Sequence, residues 1–140
     1  MHKGIDRINI LDPSLLFNNI DIDGIKEEVK IRRLISSMYM AIFNYWVAIE
    51  RYKKNNQGDG RSNEPDDFTY VHFERKISNK YSRDISYLAK YRVICDHRVN
   101  NPANYKKGGK SINLYINHNS LMKSYCCFNT LINAIKNNNL

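Results

Sequence analysis

Cysteine is scarce in this chain, and the three present (Cys95, Cys126 and Cys127) exclude a disulfide framework because they cannot all pair internally. No Cys-x-x-Cys occurs, and Cys126 and Cys127 are adjacent, so on a helix their side chains diverge where zinc ligands are spaced by two or more residues. Both read as small hydrophobes of a final helix, and reduced thiols in a cytoplasmic protein are the simplest interpretation. His2, His72, His97 and His118 show no His-x-x-x-His pattern, so neither a metal nor a cofactor is expected. Long apolar runs are missing too. Nothing approaches the roughly 20 residues that cross a bilayer, and the opening Met1-His-Lys-Gly-Ile-Asp-Arg7 has no signal-peptide core, so no membrane role is expected. Acidic residues are in deficit: 14 Asp and Glu stand against 22 Lys and Arg, a formal charge of +8. That excess favours polyanions, above all nucleic acid, although basic proteins with other roles are common.

What is present is ordinary for a globular domain of 140 residues, a length that can bury a real core. Asp12-Pro13 reads as a cap and first-turn proline for a short helix over Ser14 to Asn18. From about Lys26 to Lys54, apolar residues recur at Ile31, Leu34, Ile35, Met38, Ile42, Tyr45, Trp46 and Ile49, the three-four spacing of an amphipathic helix. Tyr39, Phe43, Tyr45 and Trp46 could stack on bases, but aromatics at helical spacing are more often core. Asn55 to Pro65 reads as a polar loop. Asp66 and Asp67 can cap a helix from near Phe68 that carries Val71, Phe73 and Ile77 inward. Ser82 can cap the next, which runs to about Asn100 before Pro102. Asn104 to Lys110 reads as a basic loop, Ser111 to Ile116 as a short extended piece, and Ser120 onward as a last helix with a fraying tail. No repeat or domain boundary appears. The expected fold is all-α: one four-helix up-and-down bundle over residues 1–140 with a short extra N-terminal helix, and a two-fold homodimer that buries residual apolar surface.

Arg92 falls inside the apolar stripe Ile85, Leu88, Arg92, Cys95, Val99, where an idle charge is costly. Three readings stand open: a salt bridge to Asp96 one turn along, an arginine snorkelling to the surface, or a functional guanidinium. His97 lies five residues on, about 140° around an ideal helix, so the two side chains converge only if the helix loosens or a symmetry-related copy faces it. The chemistry suited to such a pair is metal-free RNA cleavage, with imidazole moving the 2′-hydroxyl or leaving-group proton and arginine holding the phosphate. Equally, His97 and Arg98 complement the negative end of the helix. Lys107-Gly-Gly-Lys-Ser111 resembles the tail of a phosphate-binding loop, but Asn104 stands where the first glycine is needed, which excludes a nucleotide triphosphatase. Lys106, Lys107 and Lys110 then read as phosphate contacts on a basic loop.

Two segments in order, Arg32-Arg-Leu-Ile-Ser-Ser-Met-Tyr-Met-Ala-Ile-Phe-Asn-Tyr-Trp46 and Leu88-Ala-Lys-Tyr-Arg-Val-Ile-Cys-Asp-His97, resemble the HEPN superfamily of small helical prokaryotic proteins. The first looks like its long helix and the second like the helix bearing Arg-x-x-x-x-His. The resemblance covers roughly Lys26 to the C-terminus. It implies a four-helix bundle that dimerises with Arg92 and His97 at a shared cleft. It further implies a protein that engages RNA or nucleotides: many members are ribonucleases, often toxins neutralised by a nucleotidyltransferase partner. Val93 and Val99 depart from the nuclease pattern, and Arg92-Val-Ile-Cys-Asp-His97 also resembles an Arg-x-x-Ala-Asp-Tyr subset in which ribonuclease activity is not implied. The alternative is therefore a catalytically silent binding or interaction module that partners a nucleotidyltransferase.

Overall fold

A computed structural model describes residues 3–56 and 68–137. The chain opens with α1 (Lys3–Ile10), an element the hydrophobic pattern did not announce, and continues into a 3-10 turn over Pro13–Phe17. That turn is the short helix expected there. The Asp12 carboxylate accepts the Ser14 amide, and proline occupies the first turn, where its missing N–H costs nothing. The long periodic segment forms α2 (Glu28–Asn56), with Glu28 in the first turn and Lys53 and Lys54 in the last, each sign matched to the helix dipole. Its inward stripe of Ile31, Ile35, Met38, Tyr39, Ile42, Tyr45 and Trp46 is almost entirely removed from solvent. Each such side chain contributes about 1.5–3 kcal/mol of transfer free energy. The aromatics of α2 are therefore core, with Phe43 partly buried beside them.

The expected polar loop and the caps at Asp66 and Asp67 lie outside the described residues, as do the last residues of the tail. The N-cap of α3 (Tyr70–His97) is Thr69, whose hydroxyl accepts the His72 amide. The two helices expected between Phe68 and Asn100 are the two arms of α3, broken at Tyr81, where φ −125° and ψ 43° leave the helical region. The run Ser78-Asn79-Lys80-Tyr81-Ser82 is weak helix former, since serine and asparagine compete for backbone hydrogen bonds. The break is a sharp fold. In an unbroken helix Tyr70 and Arg92 would stand about 33 Å apart along the axis. Yet the Arg92 guanidinium carbon lies 5.3 Å from the Tyr70 ring centroid. The first arm carries Phe73 into the core, edge-on to Tyr39 and Phe43 and against Trp46.

After α3 comes a two-stranded antiparallel hairpin, β1 (Ala103–Lys107) and β2 (Lys110–Leu114), paired from Ala103 opposite Leu114 to Lys107 opposite Lys110. This corrects the reading of Asn104 to Lys110 as a loop. Gly108 and Gly109 both hold positive φ, 60° and 78°, which a tight two-residue hairpin turn demands and glycine adopts freely. The chain closes with α4 (His118–Lys136), where Asn117 and Ser120 form a reciprocal capping box. The helices run up and down around one core, since the start of α2 meets the end of α3 through Arg32 and the start of α4 through His118 and Ile25. The result is a predominantly helical up-and-down bundle with one short N-terminal helix. Among the described residues no helix is long and apolar enough to cross a membrane.

Candidate functional site

The last turn of the second arm of α3 sits above the hairpin, and Arg32 of α2 fixes that junction. Its Nε donates to Glu28 at 2.8 Å, and its Nη1 reaches the carbonyls of Ile94 and Cys95 at 3.2 and 3.3 Å and that of Arg98. Nη2 donates to Val99 and Asn100 at 3.3 and 3.4 Å. A helix ends with carbonyls that have no intrahelical partner, and a planar, five-donor cation gathers several at once. Asn101 completes the joint: its amide donates to Ile116 O at 2.7 Å and to Glu28 at 2.9 Å, while its carbonyl accepts the Ile116 amide at 2.9 Å. The Asn101 and Arg32 donors hold the Glu28 carboxyl below the usual carboxylate range. Tyr91, buried on α3, donates to Tyr115 O at 3.2 Å and ties down the chain just after β2.

Helix α3 ends at His97, not Asn100, and Arg98 is already extended. Ile85, Leu88 and Cys95 lie on the buried stripe as expected. Val99 does not: beyond the helix end it is 91% exposed. Arg92 is largely buried, its side chain 18% exposed. Its guanidinium lies 4.7 Å from the Tyr39 ring centroid and 5.3 Å from that of Tyr70, and 3.6 Å from the Asp96 carboxylate. Its Nε is buried without a hydrogen-bond partner. The salt bridge to Asp96 foreseen as one reading of Arg92 is present. Asp96 serves that pair and is not among the residues lining the groove described next.

His97 faces another way. It is exposed and lines a groove of about 640 Å³ with Arg98, Asn100, Asn104, Tyr105 and Lys106. The regular helix through His97 keeps it well around from Arg92, so one protomer does not bring the two to a common atom. Across Tyr105 lies a second pocket of about 250 Å³, formed by Ser86 and Lys90 of α3 and by Tyr105, Lys107, Lys110 and Ile112 of the hairpin. Tyr105 borders both. Of the residues singled out from sequence, His97, Arg98, Lys106, Lys107 and Lys110 therefore gather at one face, while Arg92 and Asp96 stand apart. Among the described residues, none of Lys106, Lys107 and Lys110 is ion-paired to a carboxylate.

Sequence reasoning missed Lys90, Arg32, Asn101 and Tyr105 as site residues. The hairpin was legible in Gly108-Gly109 flanked by two short alternating runs, a recognised turn signal. Arg32 offered only a glutamate four residues earlier, a spacing shared by many solvated helix pairs.

The thiols divide by burial. Cys95 is buried and Cys127 partly so, and burial pushes each up to about 12; Cys126 is exposed. Among the described residues no group of three or more His, Cys, Asp or Glu side chains is placed to hold a metal ion. No family model matches the chain, and no curated protein or solved structure matches it.

Proposed function

We propose that this chain is a HEPN-type helical protein that engages RNA or nucleotides through the basic face between the end of α3 and the hairpin. The observation that carries this reading is the gathering of His97, Arg98, Lys106, Lys107 and Lys110 around two adjoining depressions. Phosphates suit such a surface: lysines act as point charges, Arg98 as a fork, and Asn100 offers an amide for ribose or base edges. Arg92 braces the bundle from the aromatic side, and the commitment of its charge to Tyr39, Tyr70 and Asp96 favours a binding module, one that the family resemblance would pair with a nucleotidyltransferase.

A second reading retains the ribonuclease. The exposed imidazole of His97 is free to take a proton from a 2′-hydroxyl, and a two-fold partner would have to bring a second cation to the phosphate. The intact Arg-x-x-x-x-His spacing favours this reading.

The test is labelled single-stranded RNA mixed with purified protein in excess chelator, read for both binding and cleavage. Binding should weaken in a K106A/K107A/K110A variant, and its log–log salt dependence should become shallower by about 0.7 per lost contact. RNA and nucleotide binding absent from the wild type at low salt sinks the proposal. Cleavage abolished by His97→Ala would establish the ribonuclease; cleavage equal in all preparations would mark a contaminant; binding without cleavage leaves the silent module.

A further inference from the structure

The two depressions on the basic face share one wall, and that wall is an aromatic ring. Tyr105 sits mid-strand in β1, directly opposite Ile112, with Lys107 and Lys110 paired two positions nearer the turn. Alternation puts all four on one face of the hairpin, the face that looks across to Lys90 of α3. An apolar floor of ring and isoleucine is thus ringed by three ammonium groups, with Arg98 and Lys106 on the other side of the same ring. A uniform cationic surface would recognise any polyanion. A partly buried aromatic between two cationic pockets is suited to something that alternates planar apolar groups with phosphates.

We infer that Tyr105 is a base-stacking residue and that the preferred ligand is single-stranded RNA crossing β1, one base against the ring and a phosphate in each flanking pocket. This rests on the RNA-engaging reading above and narrows it. Duplex RNA keeps its bases stacked on each other and presents only backbone and groove edges, so it cannot use the ring. Stacking on an aromatic is tolerant of base identity, because every base has a π-face. The preference is therefore for strandedness over sequence. Lys90, whose ammonium stands 5.5 Å from the Tyr87 ring centroid, is held on the α3 wall as the phosphate contact opposite the hairpin.

Fluorescence anisotropy with a labelled oligouridylate and a blunt duplex of equal length tests this. The wild type should bind the single strand more tightly. Tyr105→Ala should weaken that binding by about fivefold or more, leave duplex binding unchanged, and keep the salt slope, since no charge is lost. Tyr105→Phe should bind as the wild type does. Tyr105→Leu, which keeps apolar bulk without a ring, should fail as the alanine variant does, and it carries the test if alanine unfolds the hairpin. Equal affinity for both strands, or full affinity in Tyr105→Leu, overturns the stacking assignment while leaving the basic face as an RNA site. No binding of either RNA by the wild type overturns the parent reading as well.

Discussion

The guanidinium of Arg92 packs 4.7 Å from the ring centroid of Tyr39, whose hydroxyl in turn donates to the Glu74 carboxylate. Burial, and then the bond to Glu74, push that phenol well above its ordinary range, so Tyr39 stays a neutral donor under an arginine. The chain Arg92–Tyr39–Glu74 joins both arms of α3 to α2.

The Arg92 side chain is a structural brace with one unsatisfied nitrogen, and the two obvious truncations should separate. Arg92→Ala loses the cation–π contact, the ion pair and the packed stem, at about 2 kcal/mol. Arg92→Leu keeps the packing and removes the buried unpartnered Nε, so it should fall within about 1 kcal/mol of wild type or above it. Urea denaturation decides; equal losses for the two variants would show that the charge itself holds the arms together.

Arg32 should matter more. Arg32→Ala removes the donor shared by the Ile94 and Cys95 carbonyls of the last turn and the Arg98, Val99 and Asn100 carbonyls beyond it, and should cost about 2–4 kcal/mol. Arg32→Lys should recover only part of it, because a point charge cannot span the same set of acceptors. Amide hydrogen exchange of Tyr105 and Ile116 should rise in both variants.

Acid should weaken the same joint. Glu28 is a weaker base in the folded chain than in the unfolded one, so acidification drives protons preferentially onto the unfolded state. Its contribution is whole above the ordinary value of 4.5 and fades as pH falls through the lower folded value. Thermal melts of wild type and Glu28→Gln should therefore differ at neutral pH and converge toward strongly acid pH. A constant difference across that window would remove Glu28 from the account.

At the turn, a Cβ on Gly108 or Gly109 meets nothing within 4 Å, so any cost is in the backbone alone. Gly108→Val should cost roughly 1–2 kcal/mol from the left-handed φ, whereas Gly108→Asn should be nearly neutral. On the RNA-engaging reading proposed above, the loss should also appear as weaker RNA binding, since the turn spaces Lys107 from Lys110.

The bundle was legible because its signals are periodic: α2 and α4 follow from three-four spacing, and the fold at Tyr81 follows from Ser82 and its weak neighbours. The Asp12 turn was legible from a capping residue before proline. Burial tends to raise the Asp12 pKa, but hydrogen bonds from Lys136 and Ser14 outweigh it and leave it lowered. The Lys136 bond ties that turn to the end of α4, a contact over a sequence separation that no local pattern encodes. The face around Tyr105 was half legible. Its lysines were named from composition, yet their grouping with His97 depends on a hairpin folding back against α3. Arg92 and His97 illustrate the converse. Their spacing is visible in the sequence, while their divergence is fixed by the helix staying regular to its final residue.

Arg32 reaches the first turn of α2, the last turn of α3 and the strand-entry segment with a single planar group. The end of α3 and residues 98–100, which wall the basic face, are thereby tied to the helix that carries the core stripe. On the proposed reading, a ligand arriving there would meet a shape completed during folding, with little ordering left to impose. Its association rate should follow diffusion and ionic strength, with no slow rearrangement phase at saturating concentration.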